Sequence, residues 1–87
     1  MVIRMNYNKI LIDRIKLFRN EHDIKQSEMA NHLGVSETTY SDYECQRIQI
    51  SLDILIKIAE YFDVSLDYLV GRTDNPNVNY IEKKITF

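Results

Sequence analysis

Apolar residues recur at helical spacing through most of the chain. From residue 9 to about residue 20 they fall at positions i, i+1, i+4 and i+7, with charged residues on the other faces, which predicts an amphipathic first helix. The apolar positions of this helix are Leu11, Ile12, Ile15 and Phe18. The stretch from Gln26 to Glu44 predicts two short helices separated at Gly34, since glycine readily adopts the left-handed conformation that ends a helix.

One local signature, apolar-Ser-x-x-x-apolar, occurs three times. In each copy serine is a favoured N-cap, and the two apolar residues have the spacing of a hydrophobic staple. The three predicted caps are Ser36, Ser51 and Ser65. After Ser51 we expect the inner side of the fourth helix to carry Leu52, Leu55, Ile56, Ala59 and Phe62. A short fifth helix should end at Gly71.

The two ends of the chain follow different patterns from the middle. Residues 1–8 are interpreted as an arm or short strand, residues 9–74 as the helical domain, and residues 75–87 as a tail. The tail alternates apolar and polar residues, which fits a terminal strand, although a helix pairing Ile81 with Ile85 remains an alternative. Because its apolar side chains gain from burial, we hypothesise that the tail pairs with the N-terminal arm, within one chain or across a dimer axis. The alternative is that the tail is disordered and pairs with no other segment.

Composition narrows the class of protein. With 87 residues, 45% hydrophobic and 28% charged, the chain is expected to form one all-helical domain in the cytoplasm, with no membrane segment. A single cysteine excludes an intramolecular disulfide, and two scattered histidines argue against zinc. No nucleophile motif, paired carboxylates or glycine-rich phosphate loop is present, so we expect no catalytic activity, no metal and no cofactor. The net charge of −2 argues against nucleic acid unless a basic rim offsets it.

Taken together, these elements resemble the lambda-repressor/Cro-like helix-turn-helix family of bacterial and phage regulators. The matching segments are IKLFR at 15–19, Gln26, MANHLGVS at 29–36, YSDYE at 40–44 and SLDILIKIAEYFDVSLDYLVGRTD at 51–74. The resemblance implies a compact bundle of five helices, with the helix at 36–45 inserted into the major groove of DNA. It also implies that the protein commonly acts as a homodimer on a two-fold symmetric operator.

The resemblance assigns roles to particular positions. Gln26 should contact a phosphate and support the recognition helix, and Arg19 with Glu44 should form a structural ion pair. Ser36 should cap the recognition helix and is also a candidate for a phosphate contact. The positions expected to read bases are Glu37, Thr38, Ser41 and Asp42.

Residue chemistry adds further candidates. The carboxylates of Glu37 and Asp42 can accept from the N4 amino group of cytosine, and Thr38 or Thr39 can contact a thymine methyl group or a phosphate. Phosphate contacts are predicted for Lys25 and Arg47, with Arg14 weighed between that role and ordinary surface charge. Tyr40 and Tyr43 are predicted to pack in the core rather than to stack on bases.

The sequence departs from the family pattern in three places, which are the cap before Gln26, the loop after Glu44 and the charge of the recognition helix. Lys25 stands where a Ser or Thr cap is usual, Gln46 where Gly is common, and Ile50 where Pro is common. The predicted recognition helix also has no Lys or Arg before Arg47. Our primary hypothesis is a sequence-specific regulator, expected to repress, that binds a double-stranded operator as a homodimer. The rival is a protein-interaction module on the same fold that uses the acidic third helix and the apolar tail. A regulatory protein partner is compatible with either.

Overall fold

The computed structural model describes residues 6–77, and this part of the chain is helical with no strand. The elements are α1 (Tyr7–Glu21), α2 (Gln26–Leu33), α3 (Glu37–Glu44), α4 (Leu52–Phe62) and α5 (Leu66–Leu69). The predicted all-α fold of five helices is therefore confirmed. None of these helices is both long and apolar enough to cross a membrane. The predictions for the terminal strand, the apolar tail and residues 1–5 lie outside the described residues.

The helix boundaries follow from the local chemistry of caps. The side chains of Ser36, Ser51 and Ser65 accept from backbone N–H groups three residues later, at 3.0, 3.4 and 3.0 Å, so all three predicted N-caps are confirmed. Gly34 ends α2 with φ of +74°, the left-handed conformation expected of it. Gly34 and Ser36 together make the turn between α2 and α3 short and well defined.

The first helix begins earlier than predicted. It starts at Tyr7 rather than Lys9, because the Asn6 side chain accepts from the Lys9 N–H at 3.0 Å and so caps the helix. Asparagine before a helix is a recognisable start signal. The apolar stripe alone did not reveal it, since Tyr7 is exposed.

The core draws buried side chains from all five helices. Its members are Leu11, Ile12, Ile15, Met29, Ala30, Leu33, Tyr40, Tyr43, Ile58, Ala59, Phe62, Val64 and Leu69. The prediction that both tyrosines belong to the core is confirmed, because Tyr40 is fully buried and Tyr43 nearly so. Their rings meet edge to face at 6.3 Å between centroids, a favourable aromatic arrangement.

The predicted inner face of α4 is partly wrong. Leu52 is 65% exposed and Ile56 is 38% exposed, whereas Ile58, which was not assigned to the inner face, is fully buried. Of the predicted face, Ala59 and Phe62 are buried and Leu55 packs against the core, so the buried stripe overlaps the predicted one but is rotated toward Ile58. Two aliphatic side chains of α4 therefore point away from the core.

Arg14 has a role different from both of those weighed in the sequence. Its guanidinium donates to the backbone carbonyl groups of Tyr68 and Thr73, the latter at 2.9 Å, and to the Asp74 carboxylate at 2.8 Å. The same group lies 4.1 Å from the centroid of the Tyr68 ring. Arg14 thus anchors the segment that follows α5 onto α1.

The two glycines offer a matched test of packing. Both have positive φ, but a Cβ at Gly34 would meet no atom within 4 Å, whereas one at Gly71 would lie 2.7 Å from Ile10 Cγ2. Gly34→Ala should lower the free energy of unfolding by about 1–2 kcal/mol for the left-handed backbone alone. Gly71→Ala should lose more, because it adds a steric clash. Equal losses in urea denaturation would show that Ile10 does not restrict this site.

Candidate nucleic-acid interface

A buried carboxylate lies where α1, α2 and α3 meet. Glu44, at the end of α3, is 7% exposed and accepts four hydrogen bonds. Arg19 donates two of them, from Nε to Oε2 at 2.7 Å and from Nη2 to Oε1 at 3.0 Å. Gln26 Nε2 donates to Oε1 at 3.0 Å, and the Tyr40 hydroxyl donates to Oε2. The ion pair between Arg19 and Glu44 implied by the family resemblance is therefore confirmed.

These contacts set the charge states in the network. Burial alone would raise the pKa of Glu44, but the hydrogen bonds from Arg19, Tyr40 and Gln26 outweigh burial, so its pKa lies below the ordinary value. The hydrogen bond to Glu44 raises the pKa of Arg19, and burial raises the pKa of the Tyr40 phenol. Glu44 is thus ionised, and Arg19 compensates its charge at short range.

Arg19 also connects this network to the loop between α1 and α2. Its Nη1 donates to the Ile24 carbonyl oxygen at 2.9 Å, while the Ile24 side chain packs against the core. Among the described residues no buried side-chain nitrogen or oxygen lacks a hydrogen-bond partner. The support behind α3 is therefore both charged and fully hydrogen-bonded.

On the outer side of α3, six of the nine predicted DNA-contacting residues line one open depression of about 360 Å³. They are Gln26, Glu37, Thr38, Ser41, Asp42 and Arg47. The structure thus gathers side chains from α2, α3 and the following loop onto one surface. We refer to this surface as the α3 face.

The other three predicted residues lie outside the lining of the depression. Lys25 is exposed at the start of α2, where its side chain makes no cap and its N–H donates to the Glu28 carboxylate at 3.4 Å. Ser36 and Thr39 bond each other, Oγ to Oγ1, at 2.9 Å. In the structure these two hydroxyl groups therefore stabilise the first turn of α3.

The charge on the α3 face is mixed. Asp42 and Arg47 form a loose ion pair, with 3.5 Å between Oδ1 and Nη1. Glu37 is exposed at the first position of α3 and forms no ion pair within the described residues. The lining of the face holds two carboxylates and one cation. The exposed neighbours Lys25 and Glu28 add one charge of each sign beside it. The surface is therefore weakly acidic, and Lys25 and Arg47 are the cations that can attract a polyanion.

The loop after α3 shows why glycine is common at one of its positions. Gln46 has φ of +60°, which is uncommon for a residue with a Cβ. Its side-chain oxygen accepts from Asn8 Nδ2 at 3.4 Å, which connects the loop to α1. The conformation brings Arg47, the next residue, to the edge of the α3 face.

Sequence reasoning missed one functional contact in this region, the hydroxyl of Tyr40. Tyr40 was assigned to the core, which is correct for its ring, but its hydroxyl is also a donor to Glu44. The spacing of Tyr40 and Glu44 could have predicted this contact. Residues four apart on a helix are neighbours, and the hydroxyl group of a buried tyrosine needs a hydrogen-bond partner.

Comparison with known proteins places the chain in a family. A family model described as helix-turn-helix matches residues 15–69, more than half of the chain, and the chain belongs to this family. The predicted resemblance to a helix-turn-helix family is thereby confirmed. The matched region spans the helices that build the Glu44 network and the α3 face.

Several curated proteins are similar to this chain. YobD of Bacillus subtilis (strain 168), named an uncharacterised helix-turn-helix-type transcriptional regulator, is 32% identical over 71 residues, covering 82% of this chain and 62% of YobD. YqaE of the same strain, similarly named, is 33% identical and covers 83% of this chain and 62% of YqaE. RstR of Vibrio cholerae, named a cryptic phage CTXphi transcriptional repressor, is 31% identical and covers 83% of this chain and 65% of RstR.

The chain spans less than two thirds of the length of each of these relatives. No solved structure gives a significant match to it.

The Glu44 network predicts a large difference between two acidic residues of α3. Glu44→Ala should lower the free energy of unfolding by about 3–5 kcal/mol, because it leaves the Arg19 charge partly buried without its partner. Glu37→Ala, at an exposed position, should change it by about 0.5 kcal/mol or less. Equal melting temperatures for the two variants would contradict the role given to Glu44.

The same network predicts the response to acid. Because the pKa of Glu44 is lower in the folded state, its ionised form stabilises the fold above the ordinary glutamate pKa of about 4.3. This stabilisation is lost as the pH falls through the lower, folded-state pKa. Glu44→Gln should therefore lose less stability than the unsubstituted protein between pH 7 and acid, as followed by urea denaturation at each pH. Parallel pH profiles would contradict this.

Proposed function

We propose that this chain is a sequence-specific DNA-binding transcriptional regulator that inserts α3 into the major groove and represses as a homodimer. The observation that carries the proposal is the α3 face, which combines the exposed side of α3 with Gln26 and Arg47 while the Glu44 network supports it from behind. Membership of the helix-turn-helix family and the names of the relatives support the same function.

Phosphate contacts would come from the edges of this face. Arg47 has a side chain that is 74% exposed, so it can exchange its 3.5 Å contact with Asp42 for a phosphate oxygen. Gln26 uses Nε2 to bind Glu44, and the same side chain lines the depression. Lys25 precedes it in the chain and is exposed. These residues would set the position of α3 on the DNA backbone.

Base contacts would come from the N-terminal half of α3. Glu37 and Thr38 are exposed, and Ser41 lies one turn further along. A carboxylate accepts from the cytosine amino group, and a threonine methyl group contacts the methyl group of thymine. The uncompensated Glu37 would repel phosphate, so its contribution is to discriminate between sequences rather than to increase affinity for every duplex.

A second candidate function is a protein-interaction module, which the acidic side chain at the start of α3 favours. An electrophoretic shift assay with the upstream region of the protein's own gene, at two salt concentrations, separates the two. For a DNA-binding regulator we expect retention of that duplex over random duplex, weakened by salt as phosphate contacts release counterions. Retention of neither duplex would favour protein interaction.

Two substitutions should weaken binding by different routes. Thr38→Ala should reduce the ratio of specific to random DNA binding, because Thr38 lies where bases are read. Gln26→Ala should weaken both kinds of complex more evenly, since Gln26 positions the backbone. It should also cost about 1 kcal/mol of stability, because it removes one donor from Glu44. If both variants bind like the unsubstituted protein in titrations, α3 is not the reading element.

Two arginines provide a matched pair for the phosphate contact. Arg47 and Arg72 have side chains that are 74% and 69% exposed, and they make similarly loose ion pairs of 3.5 and 3.7 Å. Only Arg47 lines the α3 face. Arg47→Ala should lower the slope of log affinity against log salt by about one and weaken all duplexes, whereas Arg72→Ala should leave both unchanged. Equal effects would point to general charge rather than to a contact at this face.

A further inference from the structure

An apolar crevice lies between α1, the end of α4 and α5. Its volume is about 30 Å³, far below the 360 Å³ of the depression on the α3 face, so it can take one side chain rather than a helix. Leu17, at its rim, is 55% exposed, so apolar surface is available beside the crevice. The apolar side chains that line it are Leu17, Phe18, Phe62, Val64 and Leu69.

The last described residues of the chain are fixed beside this crevice at two points. Arg14 donates to the Thr73 carbonyl oxygen at 2.9 Å, and the Ser65 N–H donates to the Pro76 carbonyl oxygen at 3.0 Å. Arg14 lines the crevice, and Ser65 directly follows Val64, which also lines it. The residues that come next in the chain therefore begin at the edge of the crevice.

The same two points give the chain a direction along α1. It runs from Arg14 towards Val64, which lies two residues after Phe62. Phe62 stacks on Phe18 of α1, with 3.9 Å between the ring centroids. The chain thus advances along α1 from Arg14 towards Phe18, and in the same direction it would reach Glu21, the last residue of α1.

The next ten residues of the chain, VNYIEKKITF, match this path. In an extended chain Ile81 can reach about 14 Å from Asn77, which exceeds the width of so small a crevice. Ile81 and Lys83 then lie on the same face, about 7 Å apart. Leu17 and Glu21 are one helical turn apart, about 6 Å along α1. Ile81 can therefore lie beside Leu17 while Lys83 lies beside Glu21.

Glu21 supplies a charge that a lysine would complement. It lines the crevice, is exposed, and forms no ion pair within residues 6–77. It is also the last residue of α1, where the partial negative charge of a helix C-terminus disfavours a carboxylate. Arg19, the basic residue of the same turn, is bound to Glu44. A lysine beside Glu21 would offset both negative charges.

We propose that residues 78–87 of the same chain lie along α1, with the Ile81 side chain in the crevice and Lys83 paired with Glu21. The occupant belongs to the same chain because its start is already fixed at the edge of the crevice, which gives it a high effective concentration there. The contact covers Leu17. It does not require DNA, so it goes beyond the proposed function.

Methyl NOE spectra of the full chain locate Ile81 directly. We expect cross-peaks between the methyl groups of Ile81 and those of Leu17 and Val64. In an equal mixture of isotope-labelled and unlabelled chains, spectra filtered for contacts between chains should contain none of these cross-peaks. Cross-peaks between chains would assign the crevice to a second copy, and cross-peaks from Ile81 to residues 1–5 would assign the segment to the N-terminal arm. Either result, or no cross-peak from Ile81, would overturn the proposal.

A matched apolar pair tests the crevice without altering the segment that enters it. Cleavage by chymotrypsin after Tyr80, followed by mass spectrometry, should be slow while Ile81 is docked. Leu17→Gln should speed this cleavage by at least about fivefold, because it raises the population of the undocked state. Leu52→Gln, at a position that is 65% exposed on α4 and outside the crevice, should leave the rate unchanged. Equal rates in the two variants would overturn the proposal.

Charge reversal at the other end of the crevice tests the ion pair by the same cleavage. Glu21→Lys and Lys83→Glu should each speed it, because each places like charges together. The double variant should return towards the rate of the unsubstituted protein, since opposite charges again face each other. Glu60→Lys, on α4 and outside the crevice, is the control and should change nothing. A double variant whose acceleration is the product of the two single effects would contradict the pairing of Lys83 with Glu21.

Discussion

The structure depends most on the hydrogen-bonded ion pair between Arg19 and Glu44. A carboxylate with 7% exposure is tolerated only when it is paired and its remaining lone pairs are used. Here two bonds from Arg19, one from Gln26 and one from Tyr40 meet that requirement. Because the donors come from three helices, satisfying one charge also fixes the relative placement of α1, α2 and α3.

Because the Glu44 network holds α3 from one side, the two sides of this helix have different roles. Its inner side carries Tyr40, Tyr43 and Glu44, all buried and all making contacts that hold the helix in place. Its outer side carries short polar and acidic side chains beside Arg47, which is available for contact. Because the backbone of α3 is already held in place, a partner that binds its outer side does not have to order that backbone, which reduces the entropic cost of recognition.

Much of the fold could be predicted because its signals are local. The caps at Ser36 and Ser51 and the turn at Gly34 depend on residues within one helical turn, and each was correct. The face of α4 could not be predicted in the same way. Five of the seven positions from Leu52 to Ile58 are apolar, so periodicity alone does not select which of them point inward, and packing against the other helices decides.

In the candidate site, too, some roles could be predicted from sequence position and others could not. Family resemblance pointed to Gln26 and to the ion pair of Glu44, since those roles are tied to sequence position. The anchoring role of Arg14 and the hydroxyl contact of Tyr40 were not predicted. Arg14 reaches Thr73 and Asp74, about 60 positions away in sequence, and such contacts appear only once the chain has folded.

The central claim is that α3 reads DNA while the Glu44 network holds it in place. NMR titration of the full chain with DNA tests this claim most directly. The duplex would be the upstream region of the protein's own gene, and the backbone amide shifts would be followed residue by residue. We expect the largest changes at residues 37–42, Gln26 and Arg47, with small changes on α5. Shifts confined to other surfaces, or absent at saturating duplex, would contradict the claim.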